Sequence, residues 1–468
     1  MAIGGVHFFA SLMRFRQTLA QLSWRRRSCR RRQTFNPASK GTTMNSKTMV
    51  AVAIVTAFAA SPAVQAQSAK DFDELRQEIK RLRDEVDELK AKGIADAKPP
   101  ETPGWGQRIE QLETKAKDAA VASDIPGGFR VPGSTTSLRL YGYAEGHAIH
   151  DLKASSPNDN FTDLTFQPLD GSGAQTGRTK LTAQTSRFGF DTSTPTPNGA
   201  FKTKLEMDFY AYTGDNRNRL RLRQAYGEYG GWLIGQTWST FMDLDNLPET
   251  VDYNGPIGAP FSRRMMVRYG FGDPKTGVKV TFAAEDPEDQ FGGGSANERI
   301  PQFVARLDKS FDWGAVNIRG LTQEKRSATQ TKRGYGLAVG GSYKLTDKDV
   351  LMGQYTRVDG DVDQLYGSNG YSFSAEGTIT FDKNQGLVVG YAKTFNDRLR
   401  GSVAFGMNRG KTTEAVDNRR LQQLFVNLIY SPIKNIELGA EYIHGTRRTF
   451  TDETGTMSRF DLMGRYAF

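Results

Sequence analysis

From Ser137 to the C-terminus the chain is written in short runs in which every second residue is apolar. Leu138, Leu140, Gly142 and Ala144 alternate with Arg139, Tyr141, Tyr143 and Glu145. Phe201, Thr203, Leu205, Met207 and Phe209 alternate with Lys202, Lys204, Glu206 and Asp208. The beat recurs at 278–282, 303–308, 335–343 and 423–430. Successive side chains of a strand leave opposite faces, so period two predicts strands. The sharpest case is 219–223, with Arg219, Arg221 and Arg223 on one side and Leu220 and Leu222 on the other. Three arginines on one strand face cannot enter an apolar core without partners or water. The leucines between them need an apolar neighbour. A sheet with lipid outside and water inside meets both demands. A soluble sandwich would turn the apolar faces inward and would rarely hold so many charges at inner positions.

The connections alternate in length. Those at 197–199, 230–231, 346–348 and 431–435 are short; those at 149–180, 241–262, 286–299 and 409–419 are long. Outer-membrane barrels have short periplasmic turns and longer outer loops. A barrel with both ends in the periplasm needs an even number of strands. The runs give an odd number, and the irregular spacing around 371–408 marks 371–381 as the outlier, so we assign it to an outer loop. The prediction is an all-β transmembrane barrel of sixteen antiparallel strands over 137–468, wide enough for an aqueous channel. The chain ends Phe460, Leu462, Gly464, Tyr466, Phe468. That ladder, closed by the aromatic Phe468, resembles the signal read by the outer-membrane insertion machinery.

Ahead of the barrel the pattern changes. Phe72, Leu75, Ile79, Leu82, Val86 and Leu89 are spaced alternately by three and four, a heptad seam. Asp71, Glu78 and Glu85 fall at g and Arg76, Arg83 and Lys90 at e, the flanks that join parallel neighbours. We expect a periplasmic coiled coil over 67–98, then a Pro-rich linker with a short helix over 99–136. Met44 opens a secretory signal: Lys47, an apolar stretch over 49–60, and a small-residue cleavage site at Val64, Gln65 and Ala66. The apolar stretch is shorter than the roughly 20 residues that a spanning helix needs. Residues 1–66 are therefore expected to be removed on export.

Composition changes the picture in one respect. The formal net charge is +10, but 1–66 carries Arg14, Arg16, Arg25, Arg26, Arg27, Arg30, Arg31, Arg32, Lys40 and Lys47 and no acid. Without them 52 basic residues face 52 acidic ones, so the charge is no argument for a nucleic-acid partner. The sole cysteine, Cys29, lies in the same leader, so the remainder forms no disulfide.

Four segments carry a family resemblance: SRFGFDTSTPTPNGAFKTKLEMDF (186–209), LRLRQAYGEYGGWLIGQTWSTFMDL (220–244), LPETVDYNGP (247–256) and VNLIYSPIKNIELGAEYIHG (426–445). They resemble the DcaP-like outer-membrane porins. The order of signal, coiled coil and FRVPGSTTSLRLYGY before the first strand fits as well. The likeness covers most of 67–468, is most specific at 235–256 and lapses at 360–385. It implies a homotrimer of sixteen-stranded channels in the outer membrane of a Gram-negative bacterium, surrounded by its lipid and lipopolysaccharide. It also implies passive uptake of small, often anionic, organic solutes.

A water-filled pore selects by width and wall charge. The candidates for an anion-attracting wall are Arg219, Arg221, Arg223, Lys202, Lys204, Arg264 and Arg268. The loop 241–262 is the candidate to fold inward and narrow the channel, its acids Asp243, Asp245, Glu249 and Asp252 facing the arginines across the opening. A competing reading makes Arg221 and Arg223 wall braces, paired across strands with Asp208 and Glu206, and leaves Arg219 opposite Tyr210. No catalytic or cofactor site is expected. Outside the leader the histidines are His147, His150 and His444, in no recognisable triad spacing, and no metal motif appears; Asp286 and its neighbours suggest at most a loose calcium loop. Two other classes compete with a general channel: a phosphate-selective porin, and a structural outer-membrane tether with a plugged barrel.

Overall fold

The computed structural model describes residues 123–468 except 154–160, 172–175, 214–215, 288–297, 361–363 and 412–417, together with Gln77, Lys80, Arg81, Arg83 and Asp84. Those five are helical and exposed. The leader, the heptad seam and the linker up to 122 lie outside the described residues. The chain divides into two compact units, 1–103 and 104–468; only the second is described below.

The described residues of this unit form sixteen wall strands. They are β1 (Ser137–Lys153), β2 (Arg178–Thr182 and Arg187–Thr196), β3 (Gly199–Thr213), β4 (Asn216–Tyr229), β5 (Trp232–Trp238), β6 (Arg263–Phe271), β7 (Lys279–Glu285) and β8 (Gln302–Phe311). They continue as β9 (Gly314–Arg326), β10 (Thr331–Lys344), β11 (Asp349–Asp359), β12 (Lys383–Asn396), β13 (Leu399–Arg409), β14 (Asn418–Tyr430), β15 (Ile436–Thr449) and β16 (Thr454–Ala467). Each pairs antiparallel with the next, and β16 returns to β1, with Tyr143 opposite Ala467. The barrel is closed, which removes every edge except at the mouths. Gly142 and Phe468 exchange both backbone hydrogen bonds, so the terminal aromatic is stitched into the seam. β2 is interrupted at 183–186, where the Ser186 hydroxyl holds the Glu145 backbone instead of a ladder partner.

Residues 371–381 are not part of the wall. Tyr371–Phe373 and Ile379–Phe381 pair only with each other, as a separate hairpin within the connection from β11 to β12. The expected sixteen-strand barrel therefore stands, and the odd run is a loop with a small sheet of its own.

The alternation read from the sequence appears as two chemically different faces. The outward face is a band of exposed apolar residues, among them Leu220, Leu222, Ile234, Val267, Leu337, Val339, Val426 and Leu428. Towards the short-turn end it finishes in aromatic pairs, Trp232 with Tyr269 at 4.7 Å and Phe311 stacked on Trp313 at 4.6 Å. These are the girdle positions of a lipid-facing barrel. The inward face carries buried Glu145, His147, Glu206, Asp208, Arg223, Arg319, Glu441, Arg459 and Asp461.

The inward face is not uniformly polar. Buried apolar side chains point into the barrel from β7–β11 and from β13–β16. They are the seat of a loop.

A loop folded into the channel

The connection from β5 to β6, residues 239–262, leaves the wall at Trp238 and turns into the barrel. Phe241 is fully buried among Ala283, Val304, Leu321, Ala338, Val358 and Leu365. Val251 sits with Ile429 and Met463. Ile257 joins Ala404, Leu421, Phe425 and Ile443. Each such burial stabilises the inward position by about 2 kcal/mol.

Glycines in the wall make room for it. A Cβ at Gly390 would come within 2.5 Å of Pro248, at Gly439 within 2.9 Å of Val251, and at Gly336 within 3.1 Å of Phe241. One at Gly340 would overlap the Asp243 carboxylate, and one at Gly406 the Ile257 carbonyl. On β10 the inward positions Gly334, Gly336, Ala338, Gly340 and Ser342 are all small. The sequence showed that small face; its purpose appears only with the loop resting on it.

Polar anchors fix the loop's backbone. Arg319 Nη1 donates to the Phe241 carbonyl at 2.6 Å, and Asn317 Nδ2 to Asp243 at 2.6 Å. Arg400 grips both Glu249 oxygens, at 2.8 and 2.9 Å. The Glu441 carboxylate accepts the Val251 and Asp252 amides at 3.0 and 2.8 Å. Asp252 in turn accepts from the Thr162 amide and hydroxyl at 2.9 and 3.1 Å, which ties the loop to a second inward segment, residues 161–168. Burial pushes the Asp252 carboxyl up to about 6, opposed by Arg459 3.8 Å away.

This geometry corrects one expectation. The loop folds inward, but its acids do not face the 219–223 arginines. Asp243 and Asp252 are buried against the wall, and Glu249 is paired with Arg400. Buried carboxylates need donors, and the wall and the neighbouring loop supply them. Tyr253 meets the arginines instead. Its hydroxyl donates to Asp208 at 2.6 Å, accepts from Arg221 at 2.6 Å and contacts Arg223. Phe161 packs between Tyr253 and His147, with ring centroids 5.6 and 5.0 Å away.

The other candidates separate by environment. Arg221 and Arg223 are engaged across strands: Arg221 with Asp208 at 2.7 Å, Arg223 with Glu206 at 2.8 Å and with Asp208 at 2.9 Å. Arg219 is exposed and stands opposite Ala211, not Tyr210, because β3 bulges between Asp208 and Ala211. Lys204 pairs with Asp191 at 2.8 Å and lies 4.5 Å over the Tyr141 ring. Arg264 is buried, its guanidinium donating to the Asp286 carbonyl, so it does not border open space.

Lys202 and Arg268 line a cavity of about 680 Å³ that runs from the short turns at Gly230 and Pro274 up to the loop at Met242. Lys279, Arg306 and Lys309 line it too, against Glu228, Asp245 and Asp308. Asp245 is thus the one of the four loop acids on this cavity, with the exposed Leu244 beside it. Lys279, Arg306 and Lys309 were visible as basic residues but not as neighbours, since the barrel's closure brings them together.

Further round the wall runs a ladder of alternating charge. Arg400 and Arg465 share Glu437, at 2.7 and 3.0 Å, and Arg465 also reaches Glu145. His147, itself buried, bridges Glu145 and Asp461 at 3.2 and 3.0 Å. Among the described residues no group of acids, histidines and cysteines is placed to hold a metal.

A family model described as DcaP outer membrane protein matches residues 112–468. No curated protein sequence matches the chain. Among solved structures, the outer membrane channel DcaP of Acinetobacter baumannii is similar at 30% identity, over 73% of this chain and 100% of that one, with a TM-score of 0.67. OmpF of Salmonella typhi, solved in complex with daunomycin, is 15% identical over 71% of this chain and 98% of that one, with a TM-score of 0.50. OmpT of Vibrio cholerae is 13% identical over 75% and 100%, also with a TM-score of 0.50. The last two share the fold alone. The chain has a porin-like outer-membrane channel fold and belongs to the DcaP outer membrane protein family.

Proposed function

We propose that the protein is a passive diffusion channel for small hydrophilic solutes with a mild preference for anionic organic ones. The observation that carries this is the cavity beneath the loop, where the inward Lys202, Arg268, Lys279 and Arg306 outnumber Glu228, Asp245 and Asp308. A solute entering it exchanges bulk water for a wall with excess positive charge, and that lowers the barrier for anions. The paired arginines at 221 and 223 add width control, since their charge is balanced on the spot by Asp208 and Glu206. No catalytic chemistry is proposed: the channel's work is done by geometry and charge. The assembly we propose is a homotrimer, exported by the 1–66 leader and extended into the periplasm by the 67–98 coiled coil.

Reversal potentials in planar bilayers under a salt gradient test the preference. A potential of the anion-selective sign is expected; one of the cation-selective sign rejects it. Competition of chloride current by phosphate separates a phosphate-selective porin from a general channel. The inward loops also favour a second reading, a plugged barrel acting as a tether. Phe161 and Phe241 are buried inside the barrel, and Tyr253 packs against Phe161. A plugged barrel would show almost no single-channel conductance.

A further inference from the structure

One stretch of the outer rim breaks a rule of sheet pairing. On the outward face, at the long-loop end, Arg409 stands directly opposite Arg420, and Arg420 directly opposite Arg448. Gln385 links Arg409 to Arg357 in the same row, and Lys383 lies two residues further along β12. Like charges directly opposite each other destabilise a sheet. Asp452 takes Arg448 at 3.1 Å and Arg419 at 2.8 Å, and Asp359 lies 3.9 Å from Arg357. Among the described residues no carboxylate comes within ion-pair distance of Arg409, Arg420 or Lys383.

The row is also placed with respect to lipid. Arg420 shares its face with Leu424, Val426 and Leu428, and Arg409 with Val403 and Phe405. Arg357 follows Tyr355 on the same face. The cations therefore stand immediately beyond the apolar band, where charge on the lipid-facing surface costs little. Beyond Arg448 the row reaches Thr454 on β16, and nearer the apolar band His444 bonds Ser458 and His150 bonds Thr179.

We propose that Arg409 and Arg420, flanked by Lys383, Arg357 and Arg448, bind the phosphate groups of an outer-leaflet lipopolysaccharide whose acyl chains lie along Val403, Leu424 and Val426. Guanidinium groups take phosphate in a two-point fork, with geometry an ammonium lacks. Strands lie roughly 4.8 Å apart, so two facing arginines close on one phosphate from both sides. The apolar band directly beneath selects an amphiphile over a free anion.

Native mass spectrometry of the detergent-purified protein tests this with four probes: bisphosphorylated lipid A, the same lipid dephosphorylated, phosphatidylglycerol and inorganic phosphate. The wild-type protein should retain bisphosphorylated lipid A above the other three. The R409Q/R420Q variant should bind it roughly tenfold or more weakly, with heat-modifiability and single-channel conductance unchanged. R409K/R420K, which keeps the charge and loses the fork, should fall between; it also serves if the glutamine variant does not fold. Equal retention of the dephosphorylated lipid, equal binding by the variants, or inorganic phosphate bound as tightly as lipid A would each overturn the proposal.

Discussion

The backbone carbonyl of Phe241 accepts a 2.6 Å hydrogen bond from Arg319, and both side chains are fully buried between the inward loop and the wall. Asp243, also at 0% exposure, lies 3.9 Å from the same guanidinium. Removing one member of a buried ionic cluster leaves the other uncompensated, at a cost of about 3–5 kcal/mol. Arg319→Ala should therefore release the start of the loop. The expected readout is a lower unfolding temperature with larger, noisier conductance steps. Unchanged conductance would mean that the apolar contacts of Phe241 suffice.

The glycine seat makes a steric prediction. Gly390→Val and Gly439→Val place side-chain atoms where Pro248 and Val251 now lie. Overpacking of this kind typically costs about 1–3 kcal/mol. Both variants should raise conductance by displacing the loop. Gly464→Ala, on the outward face with nothing near its Cβ position, should leave conductance unchanged.

Asp208 balances two arginines and the Tyr253 hydroxyl. Asp208→Asn removes one negative charge from the inner wall and leaves Arg221 underpaired. The reversal potential should shift towards greater anion selectivity, and stability should fall by about 3 kcal/mol. The reverse change in cavity charge, Arg268→Glu, should move the potential the other way.

Loop docking should depend on acidity through Asp252. Burial raises this carboxyl to about 6, so its folded value lies above the ordinary one. Below the ordinary value both the docked and the released loop carry the proton, and Asp252 contributes no difference. As pH rises through about 4 to 6 the released loop ionises first, so docking weakens by about 3 kcal/mol before levelling off. Glu441, Asp461 and Arg459 surround the same carboxylate. Steps recorded at pH 4.5 should be quieter than at pH 7.5, and Asp252→Asn should flatten that difference. An unaltered pH profile in the variant would assign the effect to its neighbours.

The wall was legible because lipid and water impose period two, and 219–223 or 201–209 cannot satisfy both solvents in any other way. The length of 241–262 made it the candidate to turn inward, but its acids were read as facing the arginines and instead meet the wall. Its contacts were not legible, because they depend on which strands lie beside each other once the barrel closes: Phe241 meets Leu321 and Val358, far away in sequence. Strand β14 carried a usable signal. Leu421, Phe425 and Ile429 alternate with Leu424, Val426 and Leu428, so both faces are apolar, the mark of a strand covered on both sides. Arg219 was assigned to the wrong partner because a bulge in β3 shifts the register by more than any pattern reveals. The second inward segment, 161–168, had no such signature: Phe161 and Leu164 are buried in a stretch that reads as ordinary loop.

Whether apolar residues meet lipid while charged ones border water can be read one side chain at a time. Cys29 is the only native cysteine, so its replacement gives a clean background for single substitutions. Lys202→Cys and Arg268→Cys, on the cavity, and Leu337→Cys and Val426→Cys, on the outward band, would be reconstituted in bilayers and treated with a charged, membrane-impermeant thiol reagent. Rapid modification with a fall in current at 202 and 268, and none at 337 and 426, is the predicted result. Modification at 337 and 426 with protection at 202 and 268 would mean that the barrel is inside out relative to the structure described.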